Sequence, residues 1–250
     1  MDSGTALLST TSNDPAQTNF TFVAENVGCA GRVQTAESEL ECMRSVPYNE
    51  IEDFLVAYAN ASSVPRVSFS PIFDNTTRFS NYTERARLEL FTPLPAIVGT
   101  ATNEGASLAP YNANGPNQTI ADATTRNAFL CPAARTTTNR FAAGRVTFRY
   151  SYAGNFTNIS PRPWMGAYHS SELPLIFGTH GDFRGASTRA EIELSERMQD
   201  AWVAFVKDPV GGLPAIGWDA YAPGGEALVW GSDGQTSRIL VSELDAVCLT

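Results

Sequence analysis

Apolar residues along this chain recur at two spacings, and the change from one to the other marks its elements. Leu194, Met198, Trp202 and Phe205 follow one another at intervals of four, four and three, the period of a helix that buries one face. Thr188 and Glu191 stand at capping-box spacing where it starts, and Asp208-Pro209 with Gly211-Gly212 ends it. Within LECMRSVPYNEIEDFLVAYAN a second helix is predicted around Ile51 to Tyr58. Period two governs RVTFRYSY, Arg145 to Tyr152, whose β-branched and aromatic residues predict a strand. In PLPAIVGTATNEG the short apolar run Ala96 to Gly99 precedes small and polar residues, the pattern of a buried strand ending in a functional loop. EALVWGSDGQTSRILVSEL predicts two short strands around a Ser-Asp-Gly turn. Asn112 to Arg126 reads as a loop, and residues 1–45 as a polar stretch with one disulfide loop. Strands interleaved with helices imply an α/β chain, with too few strands for a complete large sheet.

Composition narrows the setting. With 250 residues, 43% of them hydrophobic and 17% charged, the chain can bury a sizeable core. A formal net charge of −9 argues against nucleic-acid or anionic-membrane partners. No apolar run approaches the roughly 18 residues that a membrane span needs. Asn-x-Ser/Thr tripeptides begin at Asn19, Asn60, Asn75, Asn81, Asn117, Asn155 and Asn158, which points to glycosylated surface loops of a secreted protein. Four cysteines agree with that setting and allow three pairings. Spacing favours Cys29 with Cys42; Cys131 with Cys248 would then close a long loop, for up to roughly 4–5 kcal/mol by the chain-entropy estimate. The opening MDSGTALLSTTSND has neither a basic n-region nor an apolar h-region, so a signal peptide is expected upstream of Met1.

Metal and cofactor chemistry finds no support. His169 and His180 are eleven apart without HExxH or HxH spacing, and GTHGDFRG lacks the Lys-Ser/Thr ending of a phosphate loop. Nucleophilic hydrolysis needs a nucleophile, a base and a group that orients the base. His180 lies in a Gly-rich, Asp-bearing loop and reads as exposed and non-catalytic. His169, in WMGAYHSSELPLIFG, sits just before an apolar segment and is better placed as a base. Its nearest carboxylate in sequence is Glu172, but Glu104 occupies a strand-end loop of the kind where α/β enzymes keep such acids. No GxSxG elbow occurs; Ser232, in WGSDG, has Trp230 where the first glycine must stand and follows His169 in the chain. Acid before His matches the α/β-hydrolase order of Ser, acid, His, provided the serine lies before Met1.

GCAG with LECMR, VGTATNEG, FLCPAA, WMGAYHSSELPLIFG and AWVAFVKDP, in that order, resemble the C-terminal half of the type-B carboxylesterase and cholinesterase family. The resemblance implies the C-terminal portion of an α/β-hydrolase fold over residues 1–250, an incomplete mixed sheet flanked by helices. N-terminal strands, oxyanion segment and nucleophile elbow are expected to be absent from it. It implies Glu104 as the triad acid, His169 as the triad base, and the pairings Cys29–Cys42 and Cys131–Cys248. The implied function is a secreted serine esterase or lipase acting on small-molecule or lipid esters through an acyl-enzyme, without cofactor. This chain, lacking its serine, is expected to be inactive alone. The interval from Glu104 to Cys131 is shorter than the family's usual spacing. The alternatives are a non-enzymatic binding or adhesion module on the same scaffold and a truncated gene product.

Overall fold

Residues 1–8, 14, 16, 18–29, 35–64 and 66–248 are described by the structure, a computed structural model. The chain divides into two units, Ser9–Ser80 and a second that joins Met1–Leu8 to Asn81–Thr250.

In the Ser9–Ser80 unit, the stretch read as a polar disulfide loop contains helices α1 (Asn19–Ala24) and α2 (Ala36–Ser45). Hydroxyl caps explain why so polar a segment turns helical. Thr35 Oγ1 accepts from the Ser38 backbone N–H and Ser38 Oγ accepts from that of Thr35, a reciprocal box that satisfies two orphan donors. Gly28, at φ +90°, bends the chain after α1, and the Cys29–Cys42 disulfide ties that bend to α2. Helix α3 (Tyr48–Asn60) is longer than the Ile51–Tyr58 segment predicted. Phe22 of α1 meets Phe54 and Tyr58 of α3 at ring-centroid distances of 6.1 and 5.2 Å.

The second unit opens with α4 (Tyr82–Arg87), capped by Asn81, and continues into β1 (Ala96–Ala101). Next come α5 (Gln118–Thr124), a π turn (Thr125–Leu130) and α6 (Cys131–Ala142), then β2 (Thr147–Tyr152). Helices α7 (Leu173–Ile176), α8 (Arg189–Lys207) and α9 (Gly212–Ala215) precede β3 (Glu226–Ser232), β4 (Gln235–Leu240) and α10 (Val241–Leu244). The sheet runs β1-β2-β3-β4, parallel except for the final antiparallel pair. Met1–Ser3 extends it past β1: Met1 N donates to Ile97 O, Gly99 N to Met1 O, and Ser3 N to Gly99 O, all within 3.1 Å. Cys131–Cys248 joins the start of α6 to the segment after α10.

One expectation needs correction. Asn112 to Arg126 is not all loop, because Asn117 Oδ1 accepts from the Ile120 N–H and starts α5; the asparagine that argued for a loop is a helix cap. Strand β2 forms within the predicted segment, and all six of its residues are buried. Phe148, Tyr150 and Tyr152 join Leu194 and Met198 of α8 and Trp218 and Trp230 in the main core. On the opposite face Arg149, with no exposed surface, reaches Asp245 Oδ1 at 3.4 Å and donates to Tyr150 O at 3.0 Å. Burial lowers the pKa of Arg149 and raises that of Asp245, each opposed by its partner's charge. The capping box and apolar stripe of α8 form as predicted, with Thr188 Oγ1 accepting from Glu191 N at 3.2 Å.

A buried ion pair is costly to halve and tolerant of joint replacement. Arg149→Ala is therefore expected to cost about 3–5 kcal/mol in urea unfolding, by stranding Asp245. Arg149→Met with Asp245→Leu should recover most of that loss; a double variant as unstable as the single one would refute the pairing argument.

Candidate active site

Strand β1 ends in a turn that turns a carboxylate inward. Thr102 N still donates to Tyr152 O at 2.8 Å, so the ladder to β2 holds to the last residue before the turn. Glu104 then opens a short 3₁₀ turn, Glu104–Ser107, and its side chain has no exposed surface. A carboxylate taken out of water must find donors. Oε1 accepts from the Ala101 backbone N–H at 2.7 Å, and Oε2 lies 2.7 Å from His169 Nδ1. The sequence places these two residues 65 positions apart, and the fold brings them into direct contact. Because a carboxylate only accepts, Nδ1 carries the proton of this bond and Nε2 holds the lone pair. The imidazole side chain is 31% exposed, so it is reachable from solvent.

Its loop is fastened to the Glu104 turn through backbone groups. Asn103 N donates to Ala167 O at 2.9 Å, while Asn103 Nδ2 donates to Trp164 O at 3.1 Å and Met165 O at 2.8 Å. Gly166 and Ser170 take positive φ, +53° and +71°, and bracket the bend that carries His169. Sequence reasoning missed Asn103, although it directly precedes Glu104, because its partners lie 61 and 62 positions away. On its outer flank the turn meets the helix formed by α5, the π turn and α6. Gly105 N donates to Thr125 Oγ1 at 2.9 Å, and a Cβ on Gly105 would lie 2.0 Å from Ala121 O, so only glycine allows this approach. The buried ring of Phe129 lies 4.9 Å from the imidazole, centroid to centroid, at 43°.

Glu172, the nearest carboxylate in sequence, does not pair with His169. It is buried, its Oε1 accepts from Ser3 Oγ at 3.4 Å, and its Oε2 has no hydrogen-bond partner. Burial above all, with the charges of Glu104 and Asp2 adding, pushes its pKa up to about 7. Asp2 in turn accepts from the Tyr150 hydroxyl at 2.6 Å. Ser232 belongs to β3. Among the described residues, no hydroxyl makes a hydrogen bond to His169 Nε2.

His180 departs from its reading as exposed. Its side chain is 12% exposed and Nδ1 lies 2.6 Å from Ser187 Oγ, near the start of α8. Two sequons also depart from the surface-loop expectation. Asn158 is buried, with Nδ2 donating to Glu191 Oε1 at 2.9 Å and to His180 O at 3.2 Å; Asn19 is buried, with Nδ2 donating to Ser68 O at 2.8 Å. Asn60, Asn75, Asn81, Asn117 and Asn155 are exposed. Both disulfides have the pairing expected. Among the described residues no group of three or more His, Cys, Asp or Glu side chains is placed to hold a metal ion, and no helix is long and apolar enough to cross a membrane.

Comparison with known proteins matches residues 1–128 and 114–227 to the carboxylesterase family. The chain is 40% identical over 252 residues to a chlorogenic acid esterase of Aspergillus niger, covering 94% of this chain and 48% of that protein. It is 41% identical over 233 residues to secreted lipase 5 of Gibberella zeae, covering 87% and 43%. Acetylcholinesterase of Gallus gallus is 29% identical over 99 residues, 39% of this chain and 13% of that one. The chain thus spans about half the length of its two fungal relatives.

The environment of Glu172 sets a measurable pH dependence. Its carboxyl titrates at 4.5 when unperturbed and at about 7 in the fold, so the native state binds the proton more tightly. The stability this contributes is complete below 4.5 and lost as pH rises toward 7. Across that window the protein should lose on the order of 3 kcal/mol relative to Glu172→Gln, which mimics the neutral acid. Parallel pH profiles of the urea midpoints for the two proteins would show Glu172 to be ionised in the fold.

Proposed function

Since the chain belongs to the carboxylesterase family, we propose that Glu104 and His169 are the acid and base of a serine ester-hydrolysing site. The observation that carries this reading is the 2.7 Å contact between His169 Nδ1 and a carboxylate with no exposed surface. In this reading Nε2 takes the proton of a serine hydroxyl as that oxygen attacks the ester carbonyl. It then delivers the proton to the departing alcohol oxygen, leaving an acyl-enzyme that water hydrolyses by the same exchange. Glu104 fixes the tautomer through Nδ1–H and stabilises the imidazolium formed on the way. No cofactor takes part.

The substrate class is a carboxylic ester of a small molecule or lipid, a reading supported by relatives named as an esterase and a lipase. Residues 1–250 act as part of a carboxylesterase domain. Their sequence holds no GxSxG elbow, so the nucleophile and the oxyanion donors come from outside these residues and the chain alone does not turn over. Secretion and glycosylation complete the proposal, supported by the two disulfides, the exposed sequons and the secreted lipase among the relatives.

Three experiments test it. The purified 250-residue protein should show the His169 Nδ1–H as a low-field proton resonance that vanishes in Glu104→Ala and in His169→Asn; its absence from the wild type would sink the acid–base pair. The same protein should not hydrolyse a p-nitrophenyl ester, and hydrolysis that disappears in His169→Ala would place a nucleophile within it. Expressed through a secretory pathway and mapped by glycosidase release in heavy-oxygen water, Asn155 should carry a glycan and Asn158 should not. A glycan on Asn158 would contradict the role of its amide in the fold.

A further inference from the structure

The helix between β1 and β2 runs unbroken from Gln118 to Ala142, yet Thr125–Leu130 is wound as a π turn. A widened turn is unfavourable in isolation, and such turns persist where something else depends on them. The residues it serves are spaced by fours. Ala121, Phe129, Ala133 and Thr137 are buried, and Thr125 between them is half-buried. In a regular α-helix each step of four overshoots one turn by about 40°, so a stripe this long would wind about 160° around the axis. One residue more per turn, inserted once, takes back about 100° of that drift. The π turn therefore lets the two halves of one helix face the same way.

What the halves touch differs. Ala133 and Thr137 lie on α6, which packs on β1 and β2. Ala121, Thr125 and Phe129 lie against the Glu104 turn and His169. Thr125 Oγ1 accepts from Gly105 N at 2.9 Å and donates to Ala121 O at 3.0 Å, so the π turn begins at the residue that docks the helix onto the acid-bearing turn. Four residues later Phe129, 5% exposed, sets its ring 4.9 Å from the imidazole of His169.

One hydrogen bond does not fix an imidazole. The bond from Nδ1 to Glu104 Oε2 sets a distance and leaves the ring free to rock about it, which swings Nε2 through an arc. The Asn103 amide holds the loop through the backbone carbonyls of Trp164 and Met165. The Phe129 ring supplies a second constraint, an aromatic contact with an angular preference. We propose that Phe129, presented by the π turn, is a positioning residue that sets the tilt of His169 and so the direction of Nε2. This rests on the reading of His169 as the base; the structural part, a ring held by two contacts, is testable without it.

The test compares His169 ring protons and the low-field Nδ1–H by NMR in the wild type, Phe129→Leu and Phe129→Tyr, with His169→Asn for assignment. Leucine should displace the His169 ring-proton resonances, through loss of the ring current, and shorten the exchange lifetime of Nδ1–H severalfold. Tyrosine should restore both. Backbone amides of β3 and β4 should stay in place in either variant. If Phe129→Leu does not fold, Phe129→Met keeps the bulk without the ring and serves the same comparison. Unchanged ring shifts and lifetime in the leucine or methionine variant would overturn the inference while leaving the Glu104–His169 pair intact. A wild type without the low-field resonance would refute the acid–base reading instead, so the two failures are distinguishable.

Discussion

Burying a carboxylate without exposed surface imposes a demand on everything around it, and Glu104 is such a group. Its two oxygens receive one backbone N–H, from Ala101 at the end of β1, and one ring N–H, from His169. Losing either would leave a desolvated charge short of a partner. The first donor requires β1 to end where it does. The second requires a loop from the far side of β2 to arrive within hydrogen-bond distance, and Asn103 with Gly166 and Ser170 makes that arrival reproducible. Gly105 admits the helix that closes the other flank. Strand end, loop and helix are thus organised around one buried carboxyl group.

The two buried acids near His169 meet different environments. Glu104 has a hydrogen-bond partner on each oxygen, the Ala101 N–H and the His169 ring. Glu172 has a distant serine hydroxyl on one oxygen and no partner on the other, and it faces the negative charges of Glu104 and Asp2. Desolvation then dominates and pushes its pKa up to about 7. Proximity in sequence is a poor guide to such roles: three residues separate Glu172 from His169, and 65 separate Glu104 from it, yet only the remote acid reaches the ring.

The split of the chain into two units gives the proposed site an uneven setting. Glu104, His169, Phe129 and Asn103 all belong to the unit that contains the sheet. The Ser9–Ser80 unit is built differently, from short helices held by hydroxyl caps, a disulfide and a cluster of three aromatic rings. Caps are local and cheap to encode, which lets a segment with few apolar residues remain helical.

Much of this was legible from the chain itself. The resemblance to the family implied the Cys131–Cys248 pairing and the candidate acid and base; the stripe of α8, its capping box, β1, β2 and the β3–β4 hairpin follow from periodicity and short-range caps. Those signals act over a few residues, so sequence carries them without help from the fold. Other features depend on which groups meet across the molecule. Whether Asn158 faces solvent or Glu191, whether Arg149 lies on a wet or a dry face, and whether Asn117 ends a loop or starts a helix are decided by long-range packing. The same holds for Asn103, Thr125 and Phe129, ordinary residue types whose spacing announces nothing. Composition and local pattern determined the elements and the chemistry on offer. Tertiary structure alone decided that the Glu172 carboxyl is left short of donors and that Glu104 touches the His169 ring, because desolvation and hydrogen bonding depend on neighbours that are close in space and distant along the chain.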